Sequence, residues 1–171
     1  MITLRHYSLQ SFFGTLSVAC LLAVSSTGVM AMGSGGSSEE NIEDAELAIE
    51  EGDFEAAADL LRTALEDDPD NADAYNLLAY SQRNMDQTDE AMENYVRALE
   101  LDPDHKGALE YQGELYLKLG NKAGADANLA RLSELCPRSC DEHEVLQAAI
   151  ERFKDGNVSW TPSLRRRTTG E

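Results

Sequence analysis

Apolar residues recur along this chain with the period of an α-helix. Phe54, Ala57, Ala58, Leu61, Ala64 and Leu65 fall at i, i+3, i+4, i+7, i+10 and i+11, which places them on one stripe of a helix. Val145, Leu146, Ala149, Ile150 and Phe153 draw a second stripe of the same kind, ending near Gly156. The punctuation agrees with both. Asp53 stands where an N-cap oxygen is wanted, and Pro69 follows the end of the first stripe, where it cannot continue a helix. Ser139-Cys140-Asp141-Glu142 has the spacing of a capping box before the second. The pattern predicts an all-α protein.

A longer period organises these helices. Pro69, Pro103 and Pro137 are evenly spaced, and the same interval separates Ala57, Ala91 and Ala125, then Leu61, Tyr95 and Leu129, then Ala64, Ala98 and Leu132, and then Ala45, Ala79 and Gly113. Gly52 and Gly120 share a register, with Asp86 between them. A fixed period of this length decides the architecture, because one unit cannot bury its apolar face without its neighbours.

On these residues the chain resembles the tetratricopeptide repeat (TPR) family, whose unit is a helix–turn–helix of about 34 residues, the interval of these columns. The clearest unit runs from Ala74-Tyr75-Asn76-Leu77-Leu78-Ala79 through Glu90-Ala91 and Tyr95 to Pro103. The third supplies Gly113, Tyr116, Leu119-Gly120, Ala125 and Pro137, with Gln112 where a Leu is usual. The first is degenerate in its opening helix, with Asn41 and Asp44 where large apolar residues are expected. Repeats are assigned to 38–71, 72–105 and 106–139, and 140–156 is read as a capping helix, which makes a solenoid of seven helices.

The resemblance implies a superhelix whose first helices line a concave groove that holds a peptide of a partner, and an adaptor rather than an enzyme. Carrying lining positions over gives Ile42, Glu46, Ile49 and Glu50 from the first repeat, Asn76, Tyr80, Arg83 and Asn84 from the second, and Glu110, Glu114, Leu117 and Lys118 from the third. Tyr80, an aromatic expected on an open face beside Arg83 and Asn84, has the composition of a binding hot spot. Some members hold a carboxylate with a clamp of Lys and Asn. At those places this chain has Ile42, Glu46, Leu77, Gly107 and Tyr111, so that clamp is missing.

Charge sharpens the picture. Of 171 residues 32 are Asp or Glu and 14 Lys or Arg, a formal charge of −18. Nucleic-acid binding, which draws on clustered basic side chains, is not expected. The acidic field steers basic or neutral segments toward the groove and repels anionic ones.

Residues 1–31 have one cation, Arg5, an apolar stretch from Phe12 to Val24, and small residues up to Val29-Met30-Ala31. This is the layout of a secretory signal peptide. The run is shorter than the roughly 20 residues a spanning helix needs, so the mature form is not expected to cross a membrane. A lipoprotein reading on Cys20 is disfavoured by Ser17 three residues before it. Residues 32–37 read as a Gly/Ser linker and 157–171, with Arg165-Arg166-Arg167, as a tail. The expected compartment is the bacterial periplasm.

Export gives meaning to Cys136 and Cys140. An even pair at close spacing argues for a disulfide that staples the cap to the stack. Two other readings stand beside it: thiol–disulfide chemistry, although the usual redox motif has two intervening residues, and a metal site completed by His143, although no fourth ligand is evident. Either would make the protein a redox or metal-handling accessory. No Gly-rich phosphate loop, HExxH or GxSxG is present, and no catalytic residue, cofactor or resident metal is expected. Asp68, Asp70 and Asp73 lack the spacing of a calcium loop and are read as turn and N-cap residues. A second copy of the chain is a further candidate occupant of the groove.

Overall fold

A computed structural model describes residues 37–154; the expected leader, all of the linker but Ser37, the last two residues of the expected cap segment and the tail lie outside the described residues. Seven helices follow one another: α1 (Ser38–Glu51), α2 (Phe54–Asp67), α3 (Ala72–Asn84), α4 (Thr88–Leu101), α5 (Lys106–Lys118), α6 (Lys122–Leu135) and α7 (Asp141–Lys154). No strand occurs among the described residues. The fold is an all-α solenoid of helix pairs, α1 with α2, α3 with α4 and α5 with α6, and α7 packs on the last pair.

Local chemistry repeats with the helices. The first helices of the pairs are capped by Ser37, Asn71 and His105, one repeat apart, each side chain accepting from the backbone N–H three positions on at 3.0–3.2 Å. Second helices begin after Asp53, Gln87 and Asn121, at the same interval, although Gln87 makes no side-chain cap. The turns between pairs are also copies: Asn71, His105 and Ser139 donate N–H to the carbonyls of Asp68, Asp102 and Cys136, each with proline second in the turn. Within each pair the chain reverses through a left-handed residue, Gly52 (φ 81°), Asp86 (φ 60°) and Gly120 (φ 78°). A Cβ at either glycine would meet no atom within 4 Å, so the demand is on the backbone and not on space.

The core is built from small residues that let helices approach. Ala45, Ala57, Ala64, Ala79, Ala91, Ala98 and Ala125 are sealed from solvent, with Leu61, Tyr95 and Leu132 filling the space between them. Gly113 carries this further. A Cβ there would lie 2.7 Å from both methyls of Leu146, so the missing side chain is the socket in which the fully buried Leu146 of α7 seats. Gln112 is accommodated in the core because its Oε1 accepts from Asn128 Nδ2 at 3.0 Å.

The join to α7 differs from the capping box expected there. Ser139 has φ 75°, and its hydroxyl donates to the Glu144 carboxylate at 2.9 Å instead of receiving a backbone N–H. Glu144 N–H reaches the Cys140 carbonyl, so the helix starts after Cys140. The two cysteines flank this turn, their Cα atoms 5.6 Å apart and their sulfurs at bonding distance, 2.12 Å.

Candidate groove

The first helices of the three pairs and the start of α7 enclose a concavity of ≈ 1560 Å³; α2, α4 and α6 contribute no residue to its wall. Its floor includes Ile49, Leu77, Tyr80 and Tyr111, and its rim comes from the turns between pairs. Ten Asp and Glu side chains line it against one Lys, Lys106. Asp68 and Asp70 recur one repeat later as Asp102 and Asp104, so each Asp-Pro-Asp turn adds a rung of negative charge.

Some rungs are tied to neighbouring helices. Asp70 accepts from Arg97 at 3.1 Å, and Asp104 from Arg131, the same pair moved by one repeat. His105 Nδ1 accepts the Ala108 N–H, which leaves its Nε2–H to donate to Asp73 at 3.0 Å.

Of the residues carried over from the family pattern, Glu46, Ile49, Glu50, Asn76, Tyr80 and Glu110 line the concavity. Ile42, Arg83, Asn84, Glu114, Leu117 and Lys118 do not. The wall of α3 ends at Tyr80 and that of α5 at Tyr111, because one turn further on the gap between these helices is filled. Arg83, fully buried, donates from one Nη to the Tyr111 carbonyl and to Glu114 Oε2, each at 3.0 Å. Its guanidinium lies 5.1 Å from the Tyr80 ring centroid and 5.3 Å from that of Tyr111. Asn84 donates to the Tyr80 carbonyl at 2.7 Å, and Lys118 donates to Asp86 at 2.6 Å. The Lys118 ammonium holds the Asp86 carboxyl below the usual carboxylate range. Arg83, Glu114 and Lys118 thus join the second and third pairs, while Asn84 bonds back within α3.

Tyr80 is not on an open face. It is 3% exposed, edge-on to Phe54 at 6.2 Å and tilted against Tyr111 at 4.9 Å, so one edge of its ring meets the groove from within the core. Burial raises the phenol pKa of Tyr80, and more strongly those of Tyr111 and of Tyr95, which packs in the core. Asn76 is also buried, at 2%, and its Oδ1 has no hydrogen-bond partner. The acidic turns were legible as Asp-Pro-Asp recurring one repeat on, but their place on the groove rim follows only from how the pairs stack.

The cysteine pair lies at the α6–α7 join. His143 Nε2 meets Ser133 Oγ at 3.0 Å, so the three-ligand set of Cys136, Cys140 and His143 is not assembled. Among the described residues no group of three His, Cys, Asp or Glu side chains is placed to hold a metal ion, and no helix is long and apolar enough to cross a membrane.

Two models described as Tetratricopeptide repeat match the chain, over residues 48–93 and 76–134, together just over half of it. The chain belongs to the tetratricopeptide repeat family. Solved structures agree in fold. The Arabidopsis OM64 TPR domain is similar at TM-score 0.63 and 18% identity, covering 70% of this chain and 96% of that one. The first TPR of Spaghetti (RPAP3), bound to the HSP90 peptide SRMEEVD, gives 0.61 and 17% over 68% and 93%. The Yersinia enterocolitica type III secretion translocator chaperone SycD, in an alternative dimer, gives 0.62 and 19% over 71% and 94%. No curated protein matches the chain in sequence. TPR proteins are generally non-enzymatic scaffolds for protein–protein interaction.

Proposed function

We propose that this TPR protein is an exported scaffold that holds a segment of another protein in the groove of α1, α3, α5 and the start of α7, in envelope assembly or as an accessory subunit. The observation that carries this reading is the groove itself, a wall of first helices with a floor of buried apolar and polar side chains and a charged rim. Two structures of the same fold bear names that speak of a bound peptide and of a chaperone, which supports the same use here. The activity proposed is binding, with no catalytic side chain and no cofactor. Export is supported by the pattern of residues 1–31 and by a cysteine pair at bonding distance, an arrangement that persists in oxidising compartments.

The test is affinity capture from the native host with the intact chain and a Glu50→Arg/Glu142→Arg variant, which alters the groove at its first helix, α1, and its last, α7. A partner recovered with the native chain and lost with a variant of unchanged melting temperature is the expected result. Identical recovery with both refutes groove binding. Intact mass of the protein isolated from its host checks export; a chain beginning after Ala31 is expected.

A further inference from the structure

We infer that the segment this groove takes is a cationic stretch of a partner protein, extended and rich in Arg and Lys; this rests on the groove reading above and names its ligand. Charge is the first observation. Ten carboxylates line the concavity against one lysine, Lys106, with Arg97 and Arg131 reaching Asp70 and Asp104 from neighbouring helices, so the wall is negative on balance. Low-dielectric walls focus that field, which draws cations in and excludes anions.

A second, independent observation lies on the floor. Asn76 lines the groove, is 2% exposed, and has its Oδ1 sealed from water with no hydrogen-bond partner. A sealed, unpaired acceptor costs stability in the free protein, while the Nδ2 end of the same amide, next to Gly107, can donate to a main-chain carbonyl of an extended segment. Gly107 stands beside it: a Cβ there would sit 3.5 Å from Asn76 Nδ2, so the absent side chain keeps the approach to Asn76 clear.

The floor suits the stems of such side chains. The half-buried Tyr111 ring, with the edge of Tyr80 beside it, offers a surface on which the methylenes of Arg and Lys pack while their charged heads reach the acidic rim. An acidic tail finds neither the clamp nor the charge it needs.

Fluorescence anisotropy of a short labelled peptide alternating Arg and Ala, added to the intact chain, tests this, with a Glu–Ala peptide as control. The Arg–Ala peptide is expected to bind, and the control not. Glu50→Lys/Glu142→Lys reverses two rim charges and is expected to weaken binding about tenfold. Asn76→Leu is expected to weaken it by a similar factor while the melting temperature holds or rises, since an unpaired buried polar group is replaced by an apolar one. That split separates a ligand contact from a merely structural residue. Gly107→Leu fills the approach and is expected to abolish binding.

Equal binding of both peptides, or Arg–Ala binding indifferent to all three variants, overturns the inference. So does no binding at all; if capture still returns a groove-dependent partner, only the cationic chemistry has failed and the scaffold reading stands. The chain's own Arg165-Arg166-Arg167 is the rival occupant. If Arg165→Ser/Arg166→Ser/Arg167→Ser raises affinity for the peptide severalfold, the groove serves its own tail and the partner-protein source is overturned; unchanged affinity supports the inference.

Discussion

The Arg83–Glu114 pair decides whether the sequence-level site or the structural one is right, and its removal has a size that can be worked out. Arg83 is fully buried and Glu114 is 3% exposed, with the guanidinium held to the carboxylate and to the Tyr111 carbonyl at 3.0 Å. Glu114→Ala leaves a buried guanidinium without its carboxylate, which costs about 3–5 kcal/mol. For a body of this size, 1 kcal/mol moves the melting temperature by about 4 °C, so a fall of about 12–20 °C is expected. Arg83→Met/Glu114→Ala removes both charges and their desolvation together, and Arg83→Met is the other single variant of the cycle. The double variant is expected to recover most of the loss, giving a coupling energy of about 2 kcal/mol or more in a double-mutant cycle. The assay is thermal and urea unfolding followed by helical circular dichroism, with peptide binding measured on each variant that stays folded. Under the structural reading the double variant still binds. A Glu114→Ala protein within about 1 kcal/mol of the parent, or additive single variants, would refute the tie.

Gly113→Ala is expected to lower stability by about 1–2 kcal/mol despite alanine's better helix propensity, because its Cβ would stand 2.7 Å from Leu146, whereas Gly107→Ala, with 3.4 Å to its nearest neighbour, is expected to be neutral or stabilising; paired thermal melts check both. Asp86→Gly relieves a left-handed residue at the loss of one exposed ion pair, and the melting temperature is expected to rise. Opening the Cys136–Cys140 loop with serines is expected to cost about 2 kcal/mol, seen as faster hydrogen exchange in α7 with α1–α4 unchanged. Tyr80, Tyr95 and Tyr111 have folded pKa values raised above the ordinary 10.0. Below that value neither state ionises them; above it the unfolded chain releases protons the native state retains, so stability falls as pH climbs. Tyrosinate absorbance from these three is expected to appear together with helix loss, and a gradual rise near pH 10 with the helices intact would contradict the burial.

What was legible and what was not divides along a physical line. The columns Ala57, Ala91, Ala125 and Pro69, Pro103, Pro137 report contacts within a unit or at its ends, where sequence spacing and spatial spacing are the same thing. An all-α TPR solenoid follows from them. Arg83 and Tyr80 report contacts between units. Helical periodicity says which side of α3 they face, but not how far α5 stands across from it. That distance is set by side chains of other repeats, Tyr111 and Glu114 from the third and Phe54 from the first. Large polar-tipped residues expected on an open wall therefore became part of the joint between pairs.

The same line explains why the acidic rim was in view and yet unplaced. Asp68-Pro69-Asp70 and Asp102-Pro103-Asp104 each have a local reason to exist, since aspartate and proline make the turn and aspartate is favoured before a helix. Only the stacking of the pairs turns these turns toward one concavity. At the third copy the turn is Cys136-Pro137-Arg138, and the acidic series gives way to the cysteine pair and an arginine. Asp141 and Glu142 at the start of α7 then supply the carboxylates of the far wall. These acids too have a local reason, the first turn of α7, and the stacking of the cap on the last pair is what extends the negative wall past the repeats.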